Sequence, residues 1–421
     1  MGICPVNALS LDNIKTHEPI LDEEKCTECN LCYKVCPGKG WQAVAYARQL
    51  SERENIEMNL LYGPVKGYYL GKATNENIAL QGASGGVGTS ILLYLLEKKL
   101  VDVVIVAVLE HGIPKVKVTD DKEIIKLAAG SKYSPVPMMN DVIRELKKNN
   151  SRRIAFTALP CQMASLENAI RINRTIRRDL FYAIGLFCGD LKSYASVNQI
   201  AKCLDINANE EYEFLGWRYG KWPGQATFRI KNGEERGKEL QRWLGISRPY
   251  YSLMRCLMCP SRENWLADMA LADNHVGQTN ETVIVARTEK GQEILKMAQK
   301  DGIITLNEIK RNENDKHFIV SLTKYFPAML LIKYGKKKGI PVPSYDYEEE
   351  FYLKSADKRH RTIINIKNAI FLCVRKKKIK SFLEKHPKLM EDVGYFVNVF
   401  PQKVPGFKTL SKVKRILSFT K

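Results

Sequence analysis

Four cysteines stand at Cys26-x2-Cys29-x2-Cys32-x3-Cys36, with Pro37 directly after them. Soft thiolates at this spacing can take three corners of a cubane 4Fe–4S cluster from one tight turn, and such clusters carry single electrons. A fifth thiol, Cys4, precedes Pro5-Val6-Asn7-Ala8-Leu9, which reads as the end of an earlier run of the same kind. Where two such runs occur together, the last cysteine of each ligates the other run's cluster. Cys26, Cys29 and Cys32 are therefore expected to take Cys4 as fourth ligand, leaving Cys36 for a second cluster. The partners of Cys36 would precede Cys4, so the expectation is a sequence that starts late within a longer two-cluster protein. A zinc site or structural thiols would be the alternative, and the proline-terminated spacing argues against both.

A second set is looser. Cys161 lies in Leu159-Pro160-Cys161-Gln162, Cys188 closes Gly185-Leu186-Phe187-Cys188, and Cys256-x2-Cys259 is followed by Pro260. In α/β domains ligands gather at strand ends, so two strand-end cysteines and a C-x2-C pair could close one more cluster. Buried or redox-active free thiols are the alternative. Cys203 and Cys373 fall in helical contexts and read as core or inert.

Two further segments could meet an anion. Gln81-Gly82-Ala83-Ser84-Gly85-Gly86-Val87-Gly88 leads into a helix, and glycines let backbone N–H groups approach a phosphate. No Lys follows the last Gly, so it is not a nucleotide-hydrolysing P-loop. A tight turn explains it equally well. Gly130-Ser131-Lys132-Tyr133 could add a cation and hydroxyls to the same phosphate, or could be a solvated turn. His111 and His275 are isolated and take no role; Asp268 and Asp273 read as solvated or capping residues.

These residues need elements to position them. The sequence predicts helices over 89–98, 141–148 and 163–171, and strands over 103–109, 154–157 and 181–187. The continuous apolar runs Val103–Leu109 and Phe181–Phe187 predict strands buried on both faces. Strands alternating with helices give an α/β (α+β) fold with a mixed or parallel sheet. Three regions follow: 1–40, a cysteine-dense iron–sulfur module; 68–310, the α/β domain; and 320–421, basic and mainly helical, broken by Pro341 and Pro343.

Composition narrows the function classes. Of eleven cysteines, five lie in the first 36 residues at ligand spacing, which points to a reducing compartment, the cytoplasm, and not to a disulfide framework. No apolar run is long enough to span a bilayer, and no secretory signal is visible. The net charge is +20, and residues 333–421 hold 22 Lys and Arg against 8 Asp and Glu. That region reads as a solvated helical tail, or as a surface for an acidic partner protein or peripheral contact with an anionic membrane. No nucleic-acid-binding motif accompanies the charge, so nucleic acid is not expected as a partner.

Taken in order, the motifs resemble the coenzyme F420-reducing hydrogenase and dehydrogenase β-subunit family. The resemblance runs through the N-terminal cysteine motif of ferredoxin type, Ser84-Gly85-Gly86, Gly130-Ser131-Lys132-Tyr133, Leu159-Pro160-Cys161-Gln162, Gly185-Leu186-Phe187-Cys188, Arg255-Cys256-Leu257-Met258-Cys259-Pro260, Leu266-Ala267-Asp268 with Asp273, and Val283–Gly291. It covers about residues 1 to 300; Val87-Gly88 depart from the family pattern, and the region after 320 lies outside the shared core. The resemblance implies FAD as well as 4Fe–4S clusters, with coenzyme F420 as a substrate and other oxidoreductase subunits or a redox partner protein alongside. It makes Ser84, Gly85 and Gly86 a flavin-phosphate loop. Lys132, flanked by Ser131 and Tyr133, becomes a contact to flavin or to the anionic deazaflavin. Cys161, Cys188, Cys256 and Cys259 become ligands of a cluster beside the flavin. The implied activity couples hydride transfer at FAD to one-electron transfer through the clusters. Alternatives are a ferredoxin-dependent reductase of an organic or glycan-related substrate and a non-catalytic electron-transfer adaptor. No catalytic residue is singled out.

Overall fold

The computed structural model describes residues 1–11, 18–60, 62–148, 151–206, 211–274, 277–309, 316–347 and 358–403, except the side chains of 316–323, 358–361, 363, 366–367 and 396–403. His275 and the basic stretch beyond 403 lie outside the described residues.

Eight strands form the main sheet. They are β1 (Gly67–Ala73), β2 (Val103–Glu110), β3 (Ile113–Thr119), β4 (Ile154–Ala158), β5 (Phe181–Leu186), β6 (Met269–Asp273), β7 (Thr282–Ala286) and β8 (Ile304–Glu308). Their order is β8-β1-β7-β6-β5-β4-β2-β3. The middle run β6-β5-β4-β2 is parallel, and antiparallel strands close both sides. The expected mixed sheet is what forms, with the predicted strands at β2, β4 and β5.

Strand alternation divides the core. Val103, Ile105, Ile154, Phe156, Phe181 and Ala183 face one layer, with α3 (Met138–Lys148) and α4 (Pro160–Ile172). Val104, Val106, Ala155 and Ile184 face the other, with α2 (Val87–Glu97) and α6 (Glu289–Lys300). Successive strand side chains point to opposite faces, so a strand covered on both sides must be apolar throughout. β3 is the opposite case. Lys115 is exposed and Pro114 sits near its start, features that suit an edge strand.

The outer elements join this core. Ile3, Val35, Trp41 and Val44 from the N-terminus pack into the α3/α4 layer. Tyr325, Phe326, Met329 and Ile332 of α7 (Lys316–Lys337), and Tyr347 beyond it, pack into the same layer. α1 (Ala43–Glu54) follows the cysteine motif. A three-stranded antiparallel sheet, Tyr212–Tyr219, Gln225–Ile230 and Glu235–Glu239, encloses its own aromatic core of Phe214, Trp217, Phe228 and Trp243 of α5 (Leu240–Tyr251). Among the described residues no helix is long and apolar enough to cross a membrane.

Candidate functional site

The N-terminal thiols hang on a small frame. Leu9–Ser10 pairs antiparallel with Ile20–Leu21. Glu28 and Asn30 take left-handed φ of 51° and 57°, which bends the chain between Cys26 and Cys32. Cys32 sits in the short helix Leu31–Val35. Backbone amides aim at two sulfurs: Ala8 N–H donates to Cys4 Sγ at 3.3 Å and Gly38 N–H to Cys36 Sγ at 3.4 Å. The Leu31 amide holds the Cys29 thiol below its ordinary value. The Met1 amine is bordered by Cys32, Cys4 and Cys36, so these three thiols share one neighbourhood. Amide donors and soft thiols are the surroundings that a cluster's anionic sulfurs need. Cys29, Cys32 and Cys36 are exposed.

The second thiol set converges. Adjacent parallel strands β4 and β5 pair Ala158 with Gly185, and Cys161 and Cys188 follow just beyond their carboxyl ends. The segment carrying Cys259 folds back over these ends. Cys188 N–H donates to Arg262 O at 2.9 Å, and Asn264 Nδ2 donates to Ala158 O at 2.8 Å. Gly185 permits this approach, because a Cβ there would stand 2.7 Å from Asn264 Cβ and 2.8 Å from Ala267 Cβ. Cys256 N–H bonds Leu253 O and Cys259 N–H bonds Cys256 O, a tight turn that keeps the C-x2-C pair together. Burial raises the Cys161 thiol well above its ordinary value, and nearby Cys188, Cys259 and Cys256 raise it further. Burial, with Cys188 close by, pushes Cys256 up to about 12. Four half-buried thiols gathered at the strand ends are a donor set suited to a cationic iron–sulfur core. Among the described residues no three Cys, His, Asp or Glu side chains stand ready for a single metal ion; a four-iron cluster is a wider body and holds its ligands farther apart.

Three residues in the last part of the chain meet this quartet. Lys324 is buried, and its Nζ donates to Cys188 O at 2.8 Å and Ser261 O at 2.6 Å. Tyr345 donates a hydrogen bond from its hydroxyl to the Cys259 sulfur. Tyr347 Oη and Ser261 Oγ share a hydrogen bond of 2.6 Å. Sequence reading missed all three. Lys324 is one lysine in a basic region, and its only signal is the apolar run Tyr325-Phe326-Pro327-Ala328-Met329 beside it.

The two candidate anion loops also come together. Gly85 and Gly86 have φ of 61° and 72°, and Gly86 caps the start of α2. A Cβ on Gly130 would stand 3.7 Å from Gln81 O, so the turns are neighbours. Within the loop, Ser84 Oγ donates to Glu281 O at 2.7 Å and Gly85 N–H donates to Asn280 Oδ1 at 2.8 Å. Lys132 Nζ reaches Ala128 O, Ala129 O and Gly130 O at 2.5, 2.8 and 3.1 Å, and burial pushes its ammonium down to about 7. Ser131 and Arg218 hydrogen-bond the Tyr133 hydroxyl, and the Tyr133 ring lies edge-on to Trp243 at 5.2 Å.

A buried polar link connects this region to the quartet. Lys192 is fully buried beside Asp190, two residues beyond Cys188, and its Nζ lies 5.0 Å from the Tyr133 ring centroid. Ser252 Oγ donates to Asp190 Oδ2 at 2.5 Å, just before the Cys256 helix. The remaining expectations need correction. Asp268 is buried and not solvated, accepting Ala183 N–H at 2.8 Å and Thr288 Oγ1–H at 3.0 Å. Asp273 pairs with Arg218 at 2.6 Å. Of the two cysteines read as core or inert, Cys203 is half-buried against the aromatic core and donates to Pro387 O, and Cys373 is exposed.

The family models for the N-terminal and C-terminal parts of the coenzyme F420 hydrogenase/dehydrogenase beta subunit match residues 68–142 and 151–312, and a 4Fe-4S binding domain matches 19–39. The F420-dependent formate dehydrogenase subunit beta of Methanocaldococcus jannaschii is 24% identical over 273 residues, covering 62% of this chain and 68% of that protein. The coenzyme F420-dependent sulfite reductase of the same organism is 26% identical over 326 residues, 73% of this chain; the match spans 46% of that protein, about half its length. The coenzyme F420 hydrogenase subunit beta of Methanococcus voltae is 24% identical, covering 67% of this chain and 99% of that one. A chain from the xenon-derivatised F420-reducing NiFe hydrogenase complex of Methanosarcina barkeri superposes with a TM-score of 0.55 at 21% identity, over 68% of this chain and 98% of that one. That likeness is one of fold.

Proposed function

The chain belongs to the coenzyme F420 hydrogenase/dehydrogenase beta-subunit family, and on that premise we propose that it exchanges a hydride with coenzyme F420 at FAD and passes single electrons through two 4Fe–4S clusters. FAD, when bound, supplies the exchange between an electron pair and single electrons. The observation that carries this reading is continuity. The Gly85–Gly86 loop adjoins the Gly130 turn, Tyr133 adjoins Lys192, and Lys192 follows Cys188 of the quartet.

The chain's own residues divide the work. Gly86 and the first amides of α2 would present N–H groups to a flavin phosphate. Ser84 and Gly85, bonded to Glu281 and Asn280, hold that loop in shape. Lys132, its Nζ held by the Ala128, Ala129 and Gly130 carbonyls and its ammonium pushed down to about 7 by burial, would gain charge as the anionic flavin or deazaflavin arrives beside the Gly130 turn, with Ser131 and Tyr133 next to it. Cys161, Cys188, Cys256 and Cys259 would hold one cluster, and Cys4, Cys26, Cys29 and Cys32 the other, with Cys36 close by. The relatives are named as subunits, and the exposed cysteine motif suits electron exchange with further subunits of a cytoplasmic complex.

The full chain, reconstituted anaerobically with iron, sulfide and FAD, tests this. It should retain FAD after gel filtration and oxidise reduced F420 with a one-electron dye as acceptor. Flavin-free protein after reconstitution, or retained FAD without F420 turnover, would overturn it.

A further inference from the structure

Lys324 lies beyond the residues that match the family models, which end at 312. Its ammonium nevertheless ties together the two chain segments that bring thiols to the quartet, bonding Cys188 O and Ser261 O. Cys259, Cys188 and Cys256 are its electrostatic neighbours. The next segment continues the enclosure. Tyr345 bonds the Cys259 sulfur, and Tyr347 bonds Ser261. The same segment grips the N-terminal module. Tyr345 lies edge-on to Trp41 at 4.9 Å, five residues after Cys36, and Ser344 N–H donates to Lys39 O at 2.8 Å. Asp346 accepts Val44 N–H at 3.0 Å and Ala45 N–H at 2.8 Å at the start of α1.

Charge and hydrogen bonding around a cluster set its reduction potential. A cubane held by four thiolates is anionic, and one added electron makes it more so. A buried cation beside it favours the reduced form, and little water is present to screen that attraction. A hydrogen bond to a ligating sulfur acts in the same direction.

We propose that Lys324 and Tyr345, supplied by the segment outside the family core, are positioning residues that raise the reduction potential of the quartet's cluster and make it the electron-accepting end of a path running past Trp41 to the N-terminal cluster. The step is one electron gained by the quartet's cluster for one lost by the N-terminal cluster, with no proton or bond exchanged. The proposal rests on the reading that Cys161, Cys188, Cys256 and Cys259 hold a cluster.

The test is a redox titration of the anaerobically purified full chain, followed by electron paramagnetic resonance, with iron counted in each sample. Lys324→Gln should keep its iron and shift the quartet signal to lower potential by at least tenfold in the reduction equilibrium, about 59 mV for one electron. Tyr345→Phe should shift it the same way by less, Lys324→Arg should stay near wild type, and the N-terminal signal should not move. An iron-replete Lys324→Gln at the wild-type potential overturns the proposal. If Lys324→Gln loses iron, Tyr345→Phe decides, and its wild-type potential overturns the proposal equally. A wild-type chain whose iron count does not fall on Cys188→Ser defeats the underlying reading instead, which the iron measurement tells apart.

Discussion

Gly185 shows how one residue sets the site. Its missing Cβ lets Asn264 and Ala267 close over the strand ends that present Cys161 and Cys188. Gly185→Ala should cost about 1–3 kcal/mol, as overpacking does, and should lower the iron retained; both are measurable by denaturant melting and iron analysis. Asp268 is a second such point, holding Ala183 N–H and the Thr288 hydroxyl in the interior. Asp268→Ala leaves those donors buried without a partner, so about 2–3 kcal/mol of stability should be lost; a urea midpoint within error of wild type would contradict this. The cysteines were legible because ligand chemistry demands fixed residue types at fixed spacing. Asp268 was not, because a carboxylate that staples β5 to the start of α6 has the same sequence signature as one in water. Lys324 was hidden for the same reason: burial of a lysine depends on partners more than sixty residues away in sequence, at Ser261 and Cys188.

At the scale of elements, apolar continuity revealed β2, β4 and β5, since a strand covered on both faces has no polar positions to blur it. The antiparallel strands β1 and β8, and the separate three-stranded sheet, carry glycines and charges and gave no such signal. Register at the parallel seam is pinned by Asp102, which accepts Arg153 N–H at 2.7 Å and pairs with its guanidinium at 2.6 Å. The Arg153 hydrogen bond holds the Asp102 carboxyl below the usual carboxylate range. A depressed carboxyl stabilises the fold above its unfolded value, about 3.9, and that stability disappears as pH falls through the folded value. Asp102 is partly exposed, so solvent screening limits the effect. Asp102→Ala should therefore cost up to about 1 kcal/mol at pH 7, and the difference from wild type should begin to shrink as pH falls below about 4 and be gone once it is under the depressed folded value. α1 has no side-chain cap of its own at Gln42 and takes Asp346 instead. Asp346→Ala should cost about 1–2 kcal/mol and should loosen the Tyr345 contact, visible as faster hydrogen exchange at Val44 and Ala45.

For the whole molecule, the central claim is that two cysteine sets built on different elements share one core and form one electron path. Ile3, Val35 and Trp41 of the N-terminal module pack with Met163, Met258 and Trp265 of the α/β domain, and Tyr325 and Tyr347 complete the layer. Nothing in local sequence announces this arrangement, because it depends on segments from both ends of the chain meeting at the strand ends. The N-terminal motif and the quartet should nonetheless lose iron independently. Iron counting on the anaerobically purified full chain, beside its Cys188→Ser and Cys29→Ser variants, tests that most directly. Two four-iron clusters predict about eight iron per chain, falling to about four in each single variant. An iron count unchanged by Cys188→Ser, with Cys29→Ser removing all of it, would contradict the account.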